Sequence, residues 1–388
     1  MPAMTTLSGW LGLLTFALSL TLMVRVPRLA ACFGGLDKQY RAHHLLGLTA
    51  YLAVLVHGLA MATPSLLASD WRAAFMAWTT GRVVVTGWLA WFLLVLPLFV
   101  TFCLPKIGFD RWLWWHRITA AAFVLALVHG WMADAPAWAL VVVALMGLAA
   151  LILRTLGYGE AAGKRYVVQH VSHPARDVVE LELHALGASL PALPGAYVYV
   201  AFYRGNAYEG CGRYHPFSIS ARHGNDFRLS VKALGDCTAH MQHMQVGVAA
   251  RVQGPFGALF HEHGTHGKQL WIAGGIGIAP FLAQLAQLPA DADVHFAYLY
   301  FSAADALHLD EIARAQARVP GLKVLTAPTG ASAGAALAPW LDEINDLPQH
   351  MAFICGPPGF IDAAQAALRQ RHVPRSAIHA ERFDFREG

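Results

Sequence analysis

Charge is scarce in this 388-residue chain: Asp, Glu, Lys and Arg make up 13% of it, against 56% for hydrophobic residues. An average soluble protein carries roughly 25% charged residues, so the scarcity excludes a single soluble globule. At roughly 150 residues per domain the length suggests two or three domains. The five cysteines, Cys32, Cys103, Cys211, Cys237 and Cys355, include no CxxC spacing. That speaks against an iron–sulfur ligand set and against a disulfide scaffold. No cluster of Lys and Arg with interleaved aromatics is present either, so the formal charge of +4 does not mark a nucleic-acid surface. A calcium-binding loop and an added signalling domain are also missing from the pattern, which predicts activity without such regulation.

What charge there is lies unevenly. Up to residue 155 the chain holds 10 Lys and Arg against 4 Asp and Glu, and the remainder holds 18 against 20. The first part therefore belongs in lipid and the second in water. Five apolar segments, near 7–25, 43–64, 83–103, 112–132 and 136–154, reach the length of about 20 helical residues that a bilayer core requires. The first lacks the basic head and the small-residue cleavage site of a signal peptide, so it is expected to stay as a span. Arg28, Lys38 and Arg41, then Lys106 and Arg111, then Arg154, Lys164 and Arg165 fall on one side, and only Arg72 and Arg82 on the other. The positive-inside bias predicts an outside N-terminus and a cytoplasmic C-terminal region.

Ionisable groups inside spans are candidate functional residues. His44 and His57 in the second span and His116 and His129 in the fourth repeat one spacing, 13 residues, or about 20 Å of helix. Neutral imidazole is a good axial ligand for haem iron, so two stacked b-type haems are expected, His44 with His116 and His57 with His129. Thirteen residues turn an ideal helix by about 220°, however, whereas 14 nearly restore the same face. His43 lies 14 residues before His57 and is the alternative ligand. The 13-residue match to the second pair and the neighbouring Gly47 favour His44.

From about 164 to 260 short alternating runs such as Val178-Val-Glu-Leu-Glu-Leu and Phe227-Arg-Leu-Ser-Val predict a small antiparallel β-barrel. After Lys268 strand candidates at 270–273, 294–301, 322–326, 351–355 and 376–380 alternate with helical stretches, which predicts an α/β domain on a parallel sheet. The expected divisions are 1–158, 159–262 and 263–388. Two segments stand out for chemistry. In Trp271-Ile-Ala-Gly-Gly-Ile-Gly-Ile-Ala-Pro280 glycines expose peptide donors to a pyrophosphate at a helix start. In Arg213-Tyr-His-Pro-Phe-Ser-Ile-Ser220 a basic group is set to meet phosphate, with Phe217 and Ser218 beside a planar polar ring; Gly235, Asp236, Cys237 and Thr238 form a tight polar turn, and Gly254-Pro-Phe-Gly257 closes the barrel.

Taken together, these segments resemble bacterial members of the ferric reductase and NADPH oxidase superfamily over nearly the whole chain. The order helical haem-bearing part, flavin barrel, nicotinamide domain is more specific than any one motif. The resemblance implies that Arg213, Tyr214 and His215-Pro216-Phe217-Ser218 form the FAD motif, with Ser218 at the polar edge of the isoalloxazine. Gly235 and Thr238 match the turn that holds the FAD phosphate, and Gly274, Gly275, Gly277 and Pro280 match the nicotinamide nucleotide loop. Cys355-Gly356-Pro357-Pro-Gly-Phe360 matches the motif beside the nicotinamide, and Glu381-Arg-Phe383 the terminal segment over the flavin, with Phe383, or else Phe385, as the stacking residue. Five spans instead of the six of many relatives fit loss of the span before the first haem helix.

The implied function is electron transfer from cytoplasmic NADPH or NADH through FAD and two haems to an acceptor on the outer face. Oxygen, giving superoxide, is the leading expectation; a ferric chelate and a protein acceptor are the alternatives. Tyr298-Leu-Tyr-Phe-Ser-Ala303 lacks the arginine that would bind a 2′-phosphate, leaving both nicotinamide cofactors open. Asp70 and Arg72 on a short outer loop offer little for a dedicated iron-chelate pocket.

Overall fold

The computed structural model describes residues 2–24, 26–33, 36–67, 81–103, 109–156, 163–191, 193, 195–203, 205, 208–257, 259–260, 267–329 and 333–381. Phe383, Phe385, Asp70, Arg72 and Lys106 lie outside them. The chain forms two compact units, one built chiefly from residues 1–29 and 38–161, the other from 162–385.

In the first unit α1 spans Pro2–Thr21, α2 Pro27–Cys32, α3 Leu36–Leu67, α4 Arg82–Cys103, α5 Phe109–Met132 and α6 Ala137–Thr155. Among the described residues four helices, α1, α3, α4 and α6, are long and apolar enough to cross a membrane. The fourth expected span, α5, has 24 residues, but His116, Arg117 and His129 dilute its apolar character. Large side chains face outward here: Leu45, Leu52, Leu59, Leu89, Phe99 and Leu145 are all exposed. The interior combines small residues with Leu94, Val143 and one aromatic pair. Ala17, Ala50 and Ala122 are buried around Phe16 and Phe123, whose rings meet edge to face at 5.4 Å. Gly147 of α6 lies against Phe123 so closely that a Cβ would overlap the ring. Apolar surface outside and small residues at helix contacts are what a lipid solvent selects, because lipid tails give no hydrophobic drive between helices.

In the second unit, β1 (Lys164–Ala175), β2 (Val178–Ala185), β3 (Tyr197–Phe202), β4 (His215–His223), β5 (Asp226–Lys232) and β6 (Ala249–Phe256) close into a barrel in the order β1-β2-β5-β4-β3-β6. The alternation expected of a barrel strand appears in β4, where Phe217 and Ile219 are buried in the core and Pro216 and Ser218 sit on the other face. A short helix, α7 (Asp236–Met241), follows β5. The remaining strands, β7 (Lys268–Gly274), β8 (Asp293–Tyr300), β9 (Leu322–Pro328), β10 (Met351–Cys355) and β11 (Ile378–Glu381), make a parallel sheet in the order β11-β10-β7-β8-β9. Its helices are α8 (Ala279–Leu285), α9 (Leu309–Arg318), α10 (Ala333–Asp342) and α11 (Pro358–Gln370). Strand order reverses at β7, so the crevice between the carboxyl ends of β7 and β10 is where such a sheet binds ligands.

The barrel and the sheet share an ionic cluster. Arg228 on β5 donates to both Glu311 oxygens at 2.7 and 3.1 Å. His308, just before α9, approaches Glu180 of β2 at 2.7 Å and Glu311 at 2.9 Å. Ser230 donates to Glu180 at 2.8 Å, and Arg228 Nε to Ser220 at 3.0 Å. Two cations and two anions thus cancel within a partly buried joint.

Candidate functional site

In the helical unit the histidines meet in two pairs. The His57 and His129 ring centroids are 6.1 Å apart and nearly perpendicular, and the same distance separates His43 from His116. It is His43, the 14-residue alternative, that stands against His116; His44 is exposed on the adjoining face. The reason that His43 rather than His44 faces His116 lies in helix geometry: 14 residues keep His43 and His57 within about 40° of one another on α3. On α5 the 13-residue spacing sends the two rings out about 140° apart, so they leave that helix from different sides.

Three of the four rings are oriented by backbone carbonyls. His43 Nδ1 lies 3.0 Å from Ser19 O, His57 Nδ1 2.9 Å from Thr5 O, and His129 Nδ1 2.9 Å from Val83 O. A carbonyl only accepts, so each Nδ1 carries the hydrogen and each Nε2 keeps its lone pair, the tautomer a metal takes. Ser19 and Thr5 are themselves 14 residues apart on α1. His116 Nδ1 makes no hydrogen bond among the described residues; its ring is stacked on Trp112 at 5.2 Å. Glycine makes room for the rings: a Cβ at Gly87 would lie 2.8 Å from His129, and one at Gly9 3.2 Å from His57. Two metal–imidazole bonds of about 2.0 Å plus the two ring radii place bis-histidine centroids roughly 6 Å apart, so the residues fit an axial ligand pair.

In the barrel, Ser218 is cross-strand from Tyr197. Gly257 has φ +74°, and a Cβ there would fall 2.7 Å from the Tyr197 ring and 2.6 Å from Glu381 Oε1. Glu381 in turn sits beside Cys355 across β10 and β11. The outer face of β4, the closing turn after β6 and the start of the terminal segment therefore converge. Phe217 does not join this face: it is buried in the barrel core, which corrects its expected place beside a ring. His215 also turns toward that side, its Nε2 3.5 Å from Cys211 Sγ, while Arg213 is exposed. Thr238 is buried and its hydroxyl works within the turn, accepting from the Leu234 and Gly235 N–H groups at 2.9 Å and donating to Gly235 O at 3.0 Å. It shapes the turn and leaves the exposed peptide groups to meet a ligand.

The two glycine motifs of the sheet touch. Gly274 ends β7, Gly275 has φ +54°, and Pro280 stands in the first turn of α8. Gly277 lies against the Cys355 carbonyl and the Gly356 N–H so closely that a Cβ would overlap them. A Cβ at Gly274 would come 2.8 Å from Phe360. Pro357 caps the start of α11. The Cys355 thiol is fully buried and burial pushes its pKa well up, with the Glu381 carboxylate acting the same way. This thiol is a packing group whose backbone edges the crevice. Tyr197 and the meeting of Cys211 with Cys237 were not among the expected site features; β3 alternation gave a signal for the first, and nothing in the spacing gave the second.

Three family models match in sequence order: a ferric reductase like transmembrane component over residues 8–127, an FAD-binding domain over 164–272 and an oxidoreductase NAD-binding domain over 271–366. Among curated relatives, the carnitine monooxygenase reductase subunit of Acinetobacter pittii is 32% identical over 174 residues, 39% of this chain and 55% of that protein. A ferredoxin–NAD(P)(+) reductase component of naphthalene 1,2-dioxygenase/salicylate 5-hydroxylase systems from Ralstonia is 27% identical over 149 residues, 36% of this chain and 45% of that one. The chain spans about half the length of the curated relatives it matches. A solved ferredoxin-NADP+ reductase from Plasmodium falciparum covers 57% of this chain and 96% of its own at a TM-score of 0.50 and 16% identity, a likeness of fold alone.

Proposed function

Since the chain belongs to the superfamily that fuses a ferric-reductase-like transmembrane domain to FAD- and NAD(P)-binding reductase domains, we propose that it is a membrane electron-transfer component. In this reading it takes electrons from cytoplasmic NAD(P)H and delivers them to a protein acceptor. The coarser part stands by itself: this is a membrane-anchored oxidoreductase with FAD- and NAD(P)-binding domains. The observation that carries the finer part is the pair of perpendicular imidazole contacts, each at 6.1 Å, between α3 and α5.

His43 with His116, and His57 with His129, would hold two b-type haems through Nε2. FAD would be held by the outer face of β4 at Ser218, by Arg213 and Tyr214, and by the peptide groups of the turn at Gly235. When bound, FAD takes the two electrons of a hydride and the haems carry them singly, which couples the nicotinamide to one-electron acceptors. The residues' own work is orientation and exclusion. Ser19, Thr5 and Val83 carbonyls fix three of the imidazole planes, and the glycine contact between Gly277 and Cys355 sets the nucleotide crevice at the switch point of the sheet. Gly274, Gly275 and Gly277 offer peptide N–H groups to a pyrophosphate without side chains in the way. Glu381 and Tyr197 border the place where the flavin and nicotinamide rings would meet, and the terminal segment with Phe383 would cover it.

The relatives' names as reductase components and subunits support a protein acceptor over release of superoxide, and oxygen and a ferric chelate become arms of the test. Detergent-purified full-length protein, reconstituted with FAD and haem, should show b-type absorbance that NADH or NADPH reduces without oxygen. Turnover should be fast with one-electron protein acceptors and slow with oxygen or ferric chelates. Absence of haem absorbance, or superoxide formation as the fastest reaction, overturns the proposal.

A further inference from the structure

Cys211, His215 and Cys237 come together from three segments: an extended stretch, the first residue of β4 and the first turn of α7. Their ligand atoms lie within 4.8 Å of one another, with Cys211 Sγ and His215 Nε2 3.5 Å apart. Zinc bonds of about 2.3 Å to sulfur and about 2.0 Å to nitrogen, set at the tetrahedral angle, place those two atoms about 3.5 Å apart. Gly210 and Gly212 both take left-handed backbone, φ +63° and +61°, so the chain is folded tightly around Cys211. Both thiols pack against the barrel core. The ring of His215 contacts that of Phe217 at 6.4 Å, on the core side of β4 and away from the face that carries Ser218. His215 and the proposed flavin face at Ser218 are therefore on opposite sides of one strand, while Cys237 stands in the turn whose peptide groups at Gly235 would hold FAD.

A second observation is independent of these atoms. The Tyr208 hydroxyl is buried near both thiols and makes no hydrogen bond among the described residues. A buried hydroxyl without a protein partner calls for an explanation, and a polar group bound beside the two thiols supplies one.

The geometry points to a zinc-binding site formed by Cys211, His215 and Cys237, which ties the loop before β4 to the turn of α7. Three protein ligands leave the fourth position to water, and two thiolates with a neutral imidazole suit zinc over hard cations. Binding converts two thiols to thiolates, so each Zn²⁺ taken up releases two protons and no electron changes hands.

The test is thiol footprinting by mass spectrometry on reduced, metal-stripped full-length protein in detergent, with and without Zn²⁺. Cys32 and Cys103, both exposed, serve as internal controls. Zinc should slow alkylation of Cys211 and Cys237 together by roughly tenfold or more while leaving Cys32 and Cys103 unchanged. Cobalt(II) as a probe should give thiolate charge-transfer absorbance in the difference spectrum, lost in C211S and in C237S. Equal alkylation with and without zinc overturns the site, as does a Cys211–Cys237 disulfide in protein that retains no metal. Cobalt absorbance that survives C211S overturns it as well. Because the wild-type footprint needs no variant, a misfolded substitution leaves the result readable, and flavin absorbance recorded on the same sample separates this outcome from loss of the flavin site.

Discussion

Glu311→Gln should destabilise the flavin and nucleotide unit by about 2–3 kcal/mol at pH 6.5, and the loss should shrink as the pH rises. The substitution removes one anion from a cluster whose side chains are 6% exposed for His308, 15% for Arg228 and 25% for Glu311. Removing one member of a fully buried pair costs about 3–5 kcal/mol, and the partial exposure of this one sets the lower figure. The titration leads to the same size. The Glu180 and Glu311 carboxylates, working against burial, raise His308 from 6.5 to about 9, which corresponds to about 3 kcal/mol at 1.36 kcal/mol per pH unit. Glu311 goes the other way: against the burial that would raise it, His308 and Arg228 lower it from 4.5 to about 2. These are two views of one set of contacts and do not add.

A raised histidine contributes its stability fully below 6.5 and loses it as pH climbs through about 9, whereas Glu311 contributes fully above 4.5 and loses it as pH falls through about 2. The joint is thus strongest between those inner limits. Fixed-rate thermal unfolding of the full-length protein, followed by its tryptophan fluorescence, should show the E311Q flavin and nucleotide unit melting about 5–10 °C lower at pH 6.5, at about 2–4 °C per kcal/mol for a domain of this size. The gap should narrow by pH 9 because the wild type has then begun to lose the His308 charge. A gap that is the same at both pH values, or no gap at all, refutes the cluster as the joint between barrel and sheet. Asp342→Asn, which breaks an exposed pair with Arg371, is the control and should leave the melting unchanged.

Other substitutions separate the sites. His43→Ala should remove one haem equivalent and His44→Ala none, measured by pyridine haemochrome; equal loss would return the ligand to open choice. Gly277→Ala forces the Cys355–Gly356 backbone away, at about 1–3 kcal/mol, and should raise the KM for NAD(P)H while leaving haem content intact. Thr238→Val leaves the Leu234 and Gly235 N–H groups without their acceptor, so it should cost about 2 kcal/mol and release flavin on dilution, whereas Ser218→Ala should weaken flavin binding without lowering the melting temperature.

The fold was largely legible because its signals are periodic. Apolar runs of helix length gave the spans, alternation gave the barrel, and glycine after a buried strand gave β7 and its turn. β10 was read at residues 351–355, where the structure has it. What stayed illegible was rotational and non-local. A 13-residue repeat made His44 attractive as an index in the sequence, but a helix is read by angle, and the α1 carbonyls of Ser19 and Thr5 reward the 14-residue phase of His43 and His57. The polar motif around Phe217 hid the pleat that turns it inward. Cys211 and Cys237 looked scattered because 25 residues, including the whole of β4 and β5, lie between them.

The same contrast explains why the two halves differ in what a single substitution can show. In the helical unit an imidazole is held by one carbonyl on a neighbouring helix, so the ligand position is set by helix phase, and a one-residue shift moves the ring by about 100°. In the barrel and sheet the site is set by register: Ser218 stands opposite Tyr197, Cys355 beside Glu381, and Cys355 next to Ala273 of β7. A strand slipped by one residue would move Ser218 inward and Phe217 outward together, exchanging the polar face for an apolar one. Register is held by Gly257 and Gly277, whose missing side chains let three strand ends close on one another. Phase in one unit and register in the other therefore carry the candidate chemistry, and a variant that alters a ring or a hydroxyl tests much less of it than one that alters Gly87 or Gly277.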